Sequence, residues 1–225
     1  MKQGIILIVV LGIVGIIVSC LSPYNGGEKE DGLPVSGAPI VISDLFKSPE
    51  NGQPGDTRFY TNDPIYRRSS GYTLWAYNSD TIDFQERTVS LRKTIGSSIA
   101  GYGVIICSDL RKIDDRSEIV FLTVMLNNNR QYAVGKVIGA SYEPLVYWTN
   151  SSNIIQGYGI WNTIRIVKDS ENPNKYDLYI NGKFERFFVD AEQPLTGGTG
   201  RNGYVVVIAP DDLNQNAVEV WFEEL

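Results

Sequence analysis

The sequence predicts an all-β fold, a sandwich of two antiparallel sheets, and three observations lead there. Short runs rich in Val, Ile, Tyr and Phe follow one another from residue 71 to the C-terminus. The stretches between them carry turn formers: Asn127-Asn128-Asn129, Gly139, Asn181-Gly182 and Gly197-Gly198. No long stretch repeats apolar residues at helical spacing. Many short strands with regular turns argue for a sandwich rather than a helical or alternating α/β fold.

The chain begins with Lys2 and an apolar run over residues 4–18. That length suits the core of a signal peptide and is short for a membrane-spanning helix. The run ends in Ile17-Val18-Ser19-Cys20, which resembles the bacterial lipobox. The resemblance implies cleavage before Cys20, lipidation of Cys20, and a membrane anchor of buried methylenes. Leu21 follows the cysteine where an aspartate would otherwise stand, which resembles the pattern passed on to the outer membrane of the bacterial envelope. An uncleaved N-terminal anchor is the other reading. Residues 20–39 then have the Pro, Gly, Ser, Glu and Lys composition of a flexible tether. The expected organisation is therefore a signal peptide over 1–19, a tether over 20–39 and one domain over 40–225, which is enough chain for one such sandwich.

Net charge is −6, and removing residues 1–19 makes it one unit more acidic. A chain so acidic is a poor partner for nucleic acid or an anionic lipid surface. Cys107 lies in an apolar run and reads as a buried, inert thiol. With Cys20 lipidated there is no disulfide framework, so the domain must stand on its core.

Residues 40–46 read as a first strand and 47–63 as a long polar loop. Further strands are expected over 71–77, 84–92, 101–108, 119–126 and 131–138, with one short helical turn over 108–116. The centre of the chain, 142–189, holds runs at 145–148, 162–167, 176–180 and 184–189. Asn181-Gly182 between the last two marks a tight hairpin, since both residues tolerate positive φ. Tyr176, Leu178 and Ile180 fall on one face, Asp177 and Tyr179 on the other. Residues 169–175 carry Pro173 and read as a loop. The last strands are expected over 204–209 and 217–223.

The order Trp148, Ser151, Ile155, Gly157 or Gly159, Trp161-Asn162, Ile164 to Ile166 and Tyr176 to Lys183, followed by the turn from Gly197 to Gly200, resembles the second half of a concanavalin A-like, or laminin-G-like, jelly roll. The resemblance implies a jelly-roll sandwich. Its functional implications are broad, because that fold hosts lectins, adhesive modules, glycosidases and spacers. The same residues resemble a bacterial family of keto-disaccharide-type hydrolases, which raises the expectation of carbohydrate without supplying an acid or metal ligand.

The chain contains no histidine. That excludes Ser-His-Asp and Cys-His catalysis and His-containing zinc sites. No phosphate-binding loop occurs; the glycines of 197–203 lack the lysine and following helix pattern. Paired carboxylates are the remaining catalytic option. Retaining glycosidases of this fold carry Glu-x-Asp-x-x-Glu on one strand face, and the nearest match, Thr81 to Glu86, has Thr81 in place of the nucleophile. Asp83 and Glu86 therefore read as solvated acids, and no catalytic residue is assigned. Glu219 and Glu223 flank Trp221 on one face of the last strand and read as surface acids more than a catalytic pair. Calcium is an expected option at Asp109, Asp114 and Asp115, or at Asp211, Asp212 and Asn214. Aromatics suggest more. Trp75 and Tyr77 share the strand face opposite Leu74 and Ala76, and Tyr147, Trp148 and Tyr158 crowd the central stretch. Such rings pack the C–H faces of sugars, and they also fill sandwich cores.

The expectation is a membrane-anchored envelope lipoprotein whose sandwich binds a ligand, carbohydrate first, with an envelope or host protein as the other partner. The alternatives are a glycoside hydrolase using two carboxylates, or a structural and adhesive module. Two acids meeting on the concave sheet would favour the enzyme; aromatics and amides there would favour binding.

Overall fold

The computed structural model describes residues 39–50, 53, 56–66, 71–78, 85–191, 195, 201–209 and 217–225. In chain order the strands are β1 (Ile40–Ile42), β2 (Phe46–Lys47), β3 (Asp56–Thr61), β4 (Tyr72–Tyr77), β5 (Glu86–Ile95), β6 (Tyr102–Ile113) and β7 (Arg116–Leu126). They continue with β8 (Gln131–Ile138), β9 (Ser141–Asn150), β10 (Asn162–Lys168), β11 (Lys175–Ile180), β12 (Lys183–Val189), β13 (Arg201–Ile208) and β14 (Val218–Glu224). A 3-10 turn, Pro64–Tyr66, follows β3. Two seven-stranded sheets form the sandwich. The first runs β1-β4-β13-β6-β7-β8-β9 and the second β12-β11-β10-β5-β14-β3-β2. Pairing is antiparallel except between β1 and β4, which run parallel. No helix among the described residues is long and apolar enough to cross a membrane.

Alternation explains the strands. In β11, Tyr176, Leu178 and Ile180 are fully buried, while Asp177 and Tyr179 are half-buried on the other face. The inward residues of both sheets, among them Leu74, Leu91, Val104, Leu122, Ile164 and Val220, make one core. Each such side chain contributes about 1.5–3 kcal/mol relative to exposure. Tyr204 of β13 stacks on Phe222 of β14 across the sandwich at 4.3 Å between ring centroids. Gly103 shows how tightly the first sheet is drawn: a Cβ there would lie 2.0 Å from the Val124 carbonyl oxygen.

The hairpin at Asn181-Gly182 has φ of 51° and 76°, as a two-residue primed turn requires. Asn181 also joins two segments. Its Oδ1 accepts the Thr163 amide at 2.8 Å, and its Nδ2 donates to Asn153 O and to Asn162 Oδ1. Asn162, buried beside it, exchanges both amide bonds with the Ile155 backbone. These two asparagines hold the connection 151–161 against the hairpin.

Among the described residues, three cations lie inside. Lys136 Nζ meets Asp190 Oδ1 at 2.9 Å with both side chains almost wholly buried, and Asp190 Oδ2 accepts the Leu195 amide. Lys93 donates to Ser97 O and Ala100 O. Arg87 donates to Ile105 O and Gly203 O and pairs with Glu224. Cys107 is buried, with Sγ 3.6 Å from the Tyr176 hydroxyl, and burial pushes its thiol pKa up.

Three expectations are corrected. Residues 40–46 are not one strand: β1 joins the first sheet and β2 the second, so the chain crosses the sandwich at residues 43–45. Within the expected loop 47–63 lies β3, whose Phe59 is fully buried and pairs with Val220. The expected helical turn at 108–116 is strand. β6 continues to Ile113, and Asp114-Asp115, with φ of 47° and 65°, form a tight hairpin turn into β7.

Candidate functional site

The outer face of the first sheet, turned away from the second, is built by register. Thr73, Trp75 and Tyr77 of β4 stand opposite Val207, Val205 and Gly203 of β13. Val205 and Gly203 stand opposite Gly103 and Ile105 of β6, which face Met125 and Thr123 of β7. Phe121, Thr123 and Met125 then face Val137, Gly135 and Ala133 of β8.

Eight of these residues form a second apolar cluster, separate from the core between the sheets: Trp75, Ile105, Phe121, Met125, Ala133, Val137, Val205 and Val207, none more than 4% exposed. Partly buried aromatics stand at its margins, with Tyr77 on the β4 side and Tyr142 and Trp148 on the β9 side. Trp75 meets Tyr77 edge-on at 5.1 Å and lies 5.3 Å from Phe121. The Arg201 guanidinium sits 5.1 Å above the Tyr77 ring. The Tyr142 ring lies over Gly135, where a Cβ would fall 2.2 Å from it, so only glycine admits the ring.

Polar atoms are sparse here. Thr73 Oγ1, Thr123 Oγ1 and Trp148 Nε1 are buried and have no hydrogen-bond partner among the described residues. All three atoms are enclosed, with almost no accessible surface, and Thr73 and Thr123 are as buried as the apolar cluster around them. No Asp or Glu stands among the described positions of β4, β13, β6, β7 and β8 that share this face.

Of the residues expected to bind carbohydrate, Trp75, Tyr77 and Trp148 share this face. Tyr147, 56% exposed, lies on edge strand β9. Tyr158 lies in the connection 151–161 and donates to Gly96 O at 2.6 Å. The five are not brought together. Thr73 and Thr123 went unnoticed in the sequence, although strand alternation alone puts Thr73 on the face of Trp75.

The acidic candidates also separate. Asp109 lies within β6, accepts the Leu110 amide and pairs with Arg111. Asp114 and Asp115 lie at the hairpin tip, five and six residues on, about 16 Å or more away at strand rise. No group of three His, Cys, Asp or Glu among the described residues could hold a metal. Cys20, Asp83, Asp211, Asp212 and Asn214 lie outside the described residues. Glu86 accepts from Nε and Nη2 along one edge of the Arg165 guanidinium, at 2.6 and 3.0 Å, which lowers its pKa. Glu219 is desolvated, but hydrogen bonds from Thr94 and Arg58 outweigh that and lower its pKa. Glu223 is four residues along the same strand from Glu219, about 13 Å. A glycosidase pair needs about 5–9 Å.

No family model matches the sequence, and no curated protein matches it. Solved structures do. A Bacillus licheniformis β-glucanase superposes with a TM-score of 0.51 at 9% identity, over 82% of this chain and 84% of that one. A glycoside hydrolase family 16 endo-glucanase from Bacteroides ovatus, solved with G4G3G-2F-DNP, gives 0.53 at 11% identity over 91% and 98%. A second Bacteroides ovatus protein of that family, from a mixed-linkage-glucan locus and solved with a G4G4G3G product, gives 0.52 at 12% over 83% and 88%. At such low identity the likeness is one of fold: the chain is a two-sheet, concanavalin A-like jelly-roll sandwich.

Proposed function

We propose that the protein is an envelope-anchored glycan-binding module that holds a saccharide at the outer face of the first sheet without cleaving it. The carrying observation is the partly exposed aromatic margin, Tyr77, Tyr142 and Trp148, around a closed apolar layer on a face with no described carboxylate. Sugar C–H faces suit the partly exposed rings of Tyr77, Tyr142 and Trp148, as in pockets that combine apolar walls with a few polar groups. Trp75 is covered, and its part is to brace Tyr77. The anchor is the lipid on Cys20, which holds the module at a membrane of the bacterial envelope.

The test is a glycan array probed with the intact chain in detergent, with and without calcium, followed by Tyr77→Ala, Tyr142→Ala and Trp148→Ala. Binding that falls at least fivefold in each variant, with no reducing ends released from bound glycan, is the expected result. An array without binding, or binding indifferent to all three, overturns the reading. Incorporation of labelled palmitate that disappears in Cys20→Ser checks the anchor separately.

A further inference from the structure

The outer face of the second sheet carries a row of side chains that the first-sheet site does not use. Strand register sets it out. Lys47 of β2 stands opposite Arg58 of β3, Arg58 opposite Trp221 of β14, and Trp221 opposite Arg92 of β5. Leu91 stands opposite Asn162, so Trp161, one residue before β10, continues the row beside Arg92. Guanidinium and indole alternate in contact. Arg92 lies 4.5 Å from the Trp161 ring centre and 5.4 Å from that of Trp221. Arg58 lies 5.6 Å from Trp221 and 4.6 Å from the ring of Tyr60. Four strand spacings make the row about 19 Å long. At its β2 end it opens into a cleft of about 560 Å³ lined by Leu45, Lys47, Glu50, Arg58, Tyr60 and Trp221.

The hydrogen-bonding capacity of this row is unevenly spent. Arg58 is committed to Glu219. Arg92 makes no ion pair among the described residues, and its Nε, though buried, has no hydrogen-bond partner. Two rings hold this guanidinium in place and enclose its Nε, and no described residue accepts from its terminal Nη nitrogens.

Charge decides what kind of ligand fits. Lys47, Arg58 and Arg92 are matched by Glu50 in the cleft, Glu219 beside Arg58, and Asp56 and Glu223 one register step away. The row has no excess of positive charge, and the whole chain is acidic. A polyanion would meet repulsion along this face. A neutral, hydroxyl-rich chain meets donors and carboxylate acceptors in alternation, which suits groups that both donate and accept. Aromatic rings every second strand offer apolar surface for sugar C–H faces.

We infer that this row is a second saccharide site, which takes an extended neutral oligosaccharide lying across β2, β3, β14 and β5 with Arg92 as a hydrogen-bond donor to it. The inference shares its ligand class with the proposed function, but not its residues.

Affinity electrophoresis of the intact chain tests it, in gels containing laminarin, mixed-linkage glucan, xylan or polygalacturonate. The variants are Arg92→Gln, Lys47→Ala and Tyr60→Ala on the second sheet, and Tyr77→Ala with Trp148→Ala on the first. The expected result is retardation by at least one neutral polysaccharide that falls at least fivefold in Arg92→Gln and in Lys47→Ala while thermal midpoints stay within a few degrees. A residual retardation in the Tyr77→Ala/Trp148→Ala variant that Arg92→Gln then abolishes isolates the second site. Retardation indifferent to Arg92→Gln and Lys47→Ala overturns the second site and leaves the first. Retardation by polygalacturonate alone overturns the neutral ligand, and no retardation in any gel overturns both readings.

Discussion

The two outer faces of the sandwich contrast in how they are held. That of the first sheet is an apolar layer, Trp75, Ile105, Phe121, Met125 and Val205, as closed to solvent as the core between the sheets. That of the second is half-exposed and built from cation–π contacts and ion pairs, Arg58 and Arg92 around Trp221, and Arg165 between Glu86 and Tyr179. Dispersion and burial stabilise the one, and electrostatics on a wet surface the other. The first face should therefore matter more to stability, and the second should respond more to pH and salt.

The largest effect should come from the layer between the faces. Asp190→Ala leaves Lys136 charged in the interior, which costs about 3–5 kcal/mol. Replacing both by Met and Leu should recover most of that loss, because the pair itself contributes little net stability once its desolvation is counted. Urea titrations of the two variants check this; a double variant no better than the single one would show that the ion pair itself holds the β8 side to the segment after β12.

Next comes the direct comparison of the faces. Phe121→Ala should cost about 3–5 kcal/mol, the usual range for a buried ring. Removing the Arg92–Trp161 contact should cost only about 0.5–1 kcal/mol, the range of a partly exposed cation–π pair. A double-mutant cycle on Arg92→Gln and Trp161→Ala isolates that coupling. A coupling of several kcal/mol would make the row a structural brace and weaken its case as a binding site.

Much of the fold was legible because the strands alternate in the open. The parity of Tyr176, Leu178 and Ile180, the turn at Asn181-Gly182 and the placing of Trp75 and Tyr77 opposite Leu74 all follow from period two. β3 was lost because its six residues sit amid Gly, Pro and Asp, which read as loop, and its inward anchor is the lone Phe59 followed by Thr61. With the expected loop 47–63 went Lys47, Arg58 and Tyr60, half of the row on the second sheet. The rest of that row is scattered over Arg92, Trp161 and Trp221, and only pairing between distant strands lines them up. Pairing is a property of the whole topology, and local periodicity does not carry it. The closure of Trp75 was equally hidden, since alternation tells which face a residue takes and says nothing of what covers that face. Asp114-Asp115 misled in the opposite direction: two acids in sequence suggested ligands, while their backbone supplies two positive φ values for a hairpin.

The smallest expected effect is on pH, and it belongs to the second sheet. Glu86, held by Arg165, and Glu219, held by Thr94 and Arg58 against its desolvation, both have lowered pKa values. Asp169, bonded by Lys175 and by the amides of Asn172 and Glu171, falls to about 2. A carboxylate with a depressed folded pKa contributes its stability above the ordinary value and loses it as pH falls through the folded one. Each group therefore contributes fully at neutral pH, and its contribution fades from about pH 4.5 downward, with Asp169 the last to be protonated. Amide exchange compared at pH 6 and pH 3.5 should show β5, β10 and β14 losing protection before β6, β7 and β8, by a few-fold rather than by orders of magnitude, since these acids are largely at the surface. Loss that begins in β7 and β8 instead would place the acid-sensitive groups on the first sheet and reverse the contrast between the faces.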